Sequence, residues 1–131
     1  MAGTPARRIT RVRSPHVPEP ADNRFSNCLV VDGVAYIAGM TSRGGADVYA
    51  QASIIFGKIK QLVEAAGGSM ADVVKITIYV TDINQRQGVA KARREHFSGD
   101  FPTATAVQVV ALADPAYKVE IDAIAHIGKG R

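Results

Sequence analysis

The residues best placed to do chemistry lie in the last strand-like segment, "YKVEIDAIAHI" over 117–127, where Glu120, Asp122 and His126 share one parity. A carboxyl group and an imidazole on one face suggest an acid–base pair. Six residues of extended chain, however, hold Glu120 and His126 roughly 20 Å apart at strand rise, so they could meet only across subunits. His16, His96 and His126 are too scattered for a metal-site spacing, and no pattern of acids joins them, so no metal is expected. The lone Cys28 cannot form an internal disulfide and reads as a buried small hydrophobe in a reducing compartment. "SRGG" at 42–45 lacks the Lys and Ser or Thr of a phosphate-binding loop and reads as a hinge or hairpin tip.

The chain that must position these groups has 131 residues, the length of one domain that buries a core without disulfides, and is read as one unit over 1–131. Sixteen Lys plus Arg against twelve Asp plus Glu give a formal charge of +4, with Arg7, Arg8, Arg11 and Arg13 gathered near the N-terminus. That excess carries no interleaved aromatics and the chain has no Trp, so a nucleic-acid partner is not expected. No apolar run reaches the roughly twenty residues of a membrane span, and "MAGTPARRITRVRS" lacks the apolar segment of a secretory signal. A cytoplasmic protein is the expectation. "RITRVR" alternates with a strand period, predicting a basic edge strand at about 7–13.

In "FSNCLVVDGVAYIAG", from Phe25, two apolar runs flank Asp32-Gly33, the pair favoured in a type I′ hairpin turn. Residues 48–66 place Ala52, Ile55, Ile59, Leu62, Val63 and Ala66 on one stripe, predicting an amphipathic helix closed by Gly67-Gly68. "VVKITIYVTDI" at 73–83 alternates as a third strand. A second helix follows through "QRQGVAKARREHF", with Asp82 and Asn84 offering caps and Gly88 weakening it. "TATAVQVVAL" and 117–127 then read as two strands joined by the turn-forming "ADP" at 113–115. The order β-ββ-α-β-α-ββ predicts an α+β two-layer sandwich, a mixed sheet with two helices packed on one face.

One sheet face is therefore uncovered. On the last strand Val119, Ile121, Ala123 and Ala125 belong against the helices, leaving Glu120, Asp122, Ile124 and His126 solvated or walling an assembly. "FPTATAVQVV" at 101–110 carries no charge at all. Small residues on a sheet face leave room, to be filled by a neighbouring subunit, by a ligand or by neither.

Four separated stretches, "YIAGMTSRGG", "LVEAAGGSMADVVKITIYVTDI", "FPTATAVQVVAL" and "VEIDAIAHI", resemble the Rid family, also called YjgF or reactive-intermediate deaminase, in order and spacing from about Phe25 to Ile127. The resemblance implies a chorismate-mutase-like α+β fold assembled as a homotrimer. Its sheets would form a central barrel, with small-molecule clefts between subunits. The best-known members hydrolyse enamines and imines such as 2-aminoacrylate and 2-iminopropanoate, without metal or organic cofactor. In them a guanidinium grips the substrate carboxylate and a carboxylic acid positions or activates water.

Carried over residue by residue, Glu120 matches the family carboxylate and Gly39 the backbone that approaches the ligand. The Arg two positions beyond Phe101-Pro102 falls on Ala104, the neighbouring Cys on Ala106, the Tyr on Phe25, the Ser on Ala38 and the helix Asn on Ala90. Losing a charge-assisted hydrogen bond removes roughly 1.5–3 kcal/mol, which predicts poor turnover of 2-iminopropanoate. Arg93, one helical turn beyond Ala90, and Arg43, after the ligand-facing hairpin, are candidate replacement cations. Phe25, Met40 and Ala104 would reshape the cleft for a larger or uncharged substrate.

Three readings follow. The first is a cofactor-independent imine or enamine hydrolase using Glu120. The second is a non-catalytic trimer that binds a metabolite or a partner. The third, a ribonuclease or translation inhibitor, ranks last, because no His pair or aromatic base-stacking platform is evident.

Overall fold

Period-two alternation builds one mixed sheet in the computed structural model, which describes residues 8–130. The strands are β1 (Ile9–Val12), β2 (Cys28–Val31), β3 (Val34–Met40), β4 (Val73–Val80), β5 (Thr103–Gln108) and β6 (Val119–His126), in the spatial order β1-β2-β3-β6-β4-β5. Among the described strands only β4 and β5 run parallel, joined by helix α2 (Arg86–His96), as a parallel pair requires. Helix α1 (Val48–Ala65) connects β3 to β4. Both helices pack on the face formed by Ile37, Ile76, Ile78, Ile121 and Ala123, all nearly inaccessible. The other face is open, as the alternation predicts.

Local chemistry explains the boundaries. Asp32 and Gly33 take φ of 49° and 79°, the paired positive values of the expected hairpin turn. Asp47 caps α1 by accepting from the Ala50 amide at 2.8 Å. The helix ends where the Gly68 amide reaches back to the Val63 carbonyl at 2.9 Å. Asp82 caps a short 3-10 turn over Ile83–Gln85 that leads into α2, and Asn84 is not the cap. Gly88 has a positive reason to be glycine: a Cβ there would lie 2.9 Å from the Tyr49 amide nitrogen, at the start of α1.

Two expectations change. Strand β5 stops at Gln108 rather than running to Leu112, and β5 and β6 are not neighbours, because β4 lies between them. The turn at Asp114 forms, with Ala116 donating to its carboxylate at 2.8 Å, but it serves a crossover rather than a hairpin. Buried Gln51 of α1 holds that crossover through Nε2 to the Ala116 carbonyl and through Oε1 from the Lys118 amide, both at 2.9 Å. Part of the basic cluster is consumed locally, since Arg11 and Arg13 pair with Glu19 at 2.7 and 3.5 Å. Arg7 lies outside the described residues.

Candidate active site

A break in the β3–β6 ladder builds the first half of the site. Ile37 pairs with Ala123 and Met40 with Ile121, so β3 spends one extra residue there, a bulge occupied by Ala38 and Gly39. Glu120 lies across that bulge. A Cβ built on Gly39 would overlap the Glu120 carboxylate, Oε2 foremost, so this side chain rests on bare backbone. Burial first, and the Asp122 carboxylate second, push the Glu120 pKa upward. Asp122 is anchored by Tyr79, whose hydroxyl donates to its Oδ2 at 3.1 Å. Beside them on the open face runs a groove of about 440 Å³ lined by Tyr36, Ala38, Gly39, Asp122 and Ile124.

The second half lies elsewhere. In the β4–β5 register Ala104 pairs with Ile76 and Ala106 with Ile78, so both alanines share the helix-side face. Thr103, Thr105 and Val107 are the β5 residues on the open face. Ala106 lines a cavity of about 150 Å³ with Ala90, Arg86 and Arg93 of α2. Ala104 and Glu120 thus sit on opposite faces of the sheet, and within one chain the two halves do not converge. Arg93 is brought to the half that lacks an arginine at 104, and no described carboxylate pairs with it. Arg86 joins it unforeseen, although the 86, 90, 93 spacing marks one helix face.

Of the remaining candidates, Phe25 is half-exposed and Met40 buried, and both line a third cavity of about 240 Å³ that also touches Gly39. Arg43 pairs with Asp114 at 2.8 Å, its guanidinium 6.0 Å from the centre of the Tyr117 ring, so it is engaged at the rim of this cavity. Lys58, which lies off the apolar stripe of α1, lines the same cavity and donates to the Thr41 carbonyl at 2.6 Å.

His126 is exposed at the far end of β6, opposite Val34, and takes no part. Cys28 is fully buried, and burial raises its thiol to about 11, which makes it inert. Among the described residues no group of His, Cys, Asp and Glu is arranged to hold a metal ion, and no helix is long and apolar enough to cross a membrane.

A family model of endoribonuclease L-PSP matches residues 16–127. Among solved structures, a protein of unknown function from Pseudomonas aeruginosa is 38% identical, with a TM-score of 0.85 over 92% of this chain and 93% of that one. RidA from an Antarctic Psychrobacter species is 31% identical, with a TM-score of 0.83 over 90% of this chain and 99% of its own. A member of the YjgF/YER057c/UK114 family from Mycobacterium tuberculosis is also 31% identical, with a TM-score of 0.82 over 91% and 99%. With the family model matched over residues 16–127 and two members of the group 31% identical over at least 90% of this chain, the chain belongs to the endoribonuclease L-PSP family, the group also called YjgF or Rid.

Proposed function

We propose that this protein is a cofactor-independent imine or enamine hydrolase whose substrate differs from the usual 2-imino acids. The observation that carries the reading is Glu120 lying on the bare backbone of Gly39, beside an open groove, with a raised pKa. A carboxyl group so tuned is protonated over a wider pH range and can deliver its proton to an imine nitrogen. The carboxylate left behind takes a proton from the attacking water. Carbon–oxygen bond formation gives a carbinolamine, and loss of ammonia leaves the carbonyl product. In this reading a homotrimer, as the family resemblance implies, would supply what one chain lacks by setting the Glu120 half of one subunit against the β5–α2 half of the next. Ala104, Ala106 and Ala90 leave room for a neutral or bulky group where other members grip a carboxylate, with the charges of that half confined to Arg86 and Arg93 on α2.

The test is ammonia release from a panel of enzymatically generated 2-imino acids and neutral enamines. Turnover of at least one neutral or bulky substrate, faster than that of 2-iminopropanoate, is the expected result. No turnover across the panel would favour the second reading, a binding trimer without chemistry, which the loss of arginine at 104 and of the ring hydroxyl at Phe25 specifically supports.

A further inference from the structure

Two carboxyl groups share one face of β6 in unequal surroundings. Glu120 and Asp122 are two residues apart on the strand, both half-buried, so their Cα atoms lie roughly 6.5 Å apart at strand rise. In the β4–β6 register Tyr79 lies opposite Glu120, and Thr77 lies opposite Asp122. The Tyr79 hydroxyl nonetheless reaches diagonally and donates to Asp122 Oδ2 at 3.1 Å. Among the described residues no hydrogen-bond donor and no cation reaches the Glu120 carboxylate, which lies against the Gly39 backbone instead.

The other charged or titratable groups around this corner stand apart from it. Lys75 of β4 and Tyr36 of β3 flank Ile124, His126 lies further along β6, and Lys118, just before β6, is exposed. Strand β5 brings only Val107 and Thr105 beside Tyr79 and Thr77. On the helix side of the sheet Lys58 of α1 is engaged by the Thr41 carbonyl. Tyr79 is thus the one donor to this pair of acids among the described residues.

Like charges this close oppose each other, so the pair is more stable when one member keeps a proton. A donated hydroxyl favours the ionised form of the carboxyl it reaches, and burial disfavours charge on the one left without a donor. Tyr79 remains able to donate, because burial first and its bond to Asp122 second push its hydroxyl pKa up. The asymmetry assigns the charge to Asp122 and the proton to Glu120.

We propose that Tyr79 and Asp122 are positioning residues for Glu120: the hydroxyl fixes the Asp122 carboxylate as a negative neighbour, and that neighbour keeps on Glu120 the proton that goes to the imine nitrogen. Neither residue touches the substrate in this scheme. Delivery of the proton rests on the hydrolase reading above, whereas its retention does not.

The test is a ¹³C titration of the side-chain carboxyls in the full chain, without substrate, beside the pH profile of ammonia release. In the wild type Glu120 should still hold its proton at a pH where Asp122 is ionised. Asp122→Asn removes the negative neighbour, so the Glu120 midpoint should move down, and the alkaline limb of the rate profile should move down with it. The loss of rate at neutral pH should stay below the roughly 10²–10⁴-fold that a general acid contributes. Asp122→Glu keeps the charge and should keep the midpoint raised. Tyr79→Phe should lower the midpoint by less, and should add nothing in the Asp122→Asn background, since the hydroxyl acts through that carboxylate. A merely structural tyrosine would move Tm in both backgrounds and the Glu120 midpoint in neither.

A proton held by Asp122 in preference to Glu120 in the wild type would overturn the proposal, and this measurement needs no variant to fold. So would a Glu120 midpoint unmoved by Asp122→Asn, or a Tyr79→Phe effect of equal size in both backgrounds. Absent ammonia release together with the expected midpoints would support the pairing and count against the hydrolase reading alone.

Discussion

The half of the candidate site around Glu120 and the half around Ala104 present opposite side-chain chemistry. At the β3–β6 bulge several features converge on one carboxylate: a glycine that yields space, burial and then Asp122 raising its pKa, and a Tyr79 that fixes Asp122. At the β5–α2 corner three alanines, Ala90, Ala104 and Ala106, stand where a ligand-holding surface would carry polar groups, and the charges left are Arg86 and Arg93. On the proposed function, one scaffold carries a reacting acid in the first half and a surface open to change in the second. Chemistry needs one group in one place, whereas recognition is spread over a replaceable surface.

The largest effect should come from the half that is intact. Glu120→Gln keeps shape and removes the proton, so turnover of any accepted imine should fall by about 10²–10⁴-fold, read as ammonia release with an unchanged melting profile. An unchanged rate would remove Glu120 from the mechanism and leave the two halves equally inert. Gly39→Ala comes next. The added methyl meets only the far end of a flexible carboxylate, so Glu120 should swing away. Activity should then fall steeply while Tm moves little; a collapse of Tm would mean that the bulge cannot adjust.

A smaller effect is expected from the depleted half. Ala104→Arg should raise affinity for 2-imino acids more than tenfold, following the roughly 1.5–3 kcal/mol of a charged hydrogen bond, seen as a lower KM for 2-iminopropanoate. Because Ala104 is exposed in the single chain, misfolding of this variant would place it in a tightly packed subunit contact.

The smallest effect is thermodynamic. An acid whose pKa is raised by folding binds more protons in the native than in the unfolded state between the two values, so it lowers stability as pH climbs through that window. Wild type should lose a small increment of stability from below the unfolded carboxylate pKa up to the raised Glu120 value, and Glu120→Gln should flatten that part of the profile. A steeper slope in the variant would contradict the burial of this carboxyl.

Much of this was legible in the chain. The alternation of residues 119–126 assigned Glu120 and Asp122 to the uncovered face, and the Asp32-Gly33 turn and both helices formed where patterning placed them. Lys58 was missed because a helical wheel sorts a residue by its own helix. The cavity it enters is made by β3, Tyr117 and the segment from Val17 to Phe25, which converge from elsewhere. Gln51 was missed likewise, as a polar residue inside an apolar stripe whose partners lie more than sixty residues on.

Sequence by itself determined the elements, their faces and the family, because hydrophobic periodicity and turn chemistry act over a few residues. Tertiary structure alone decided that β6 inserts between β3 and β4, which lays Glu120 across the Gly39 bulge. It also set Ala104 and Glu120 on opposite faces of one sheet. Strand order and register are cooperative choices among non-local pairings, and no short stretch of chain encodes them.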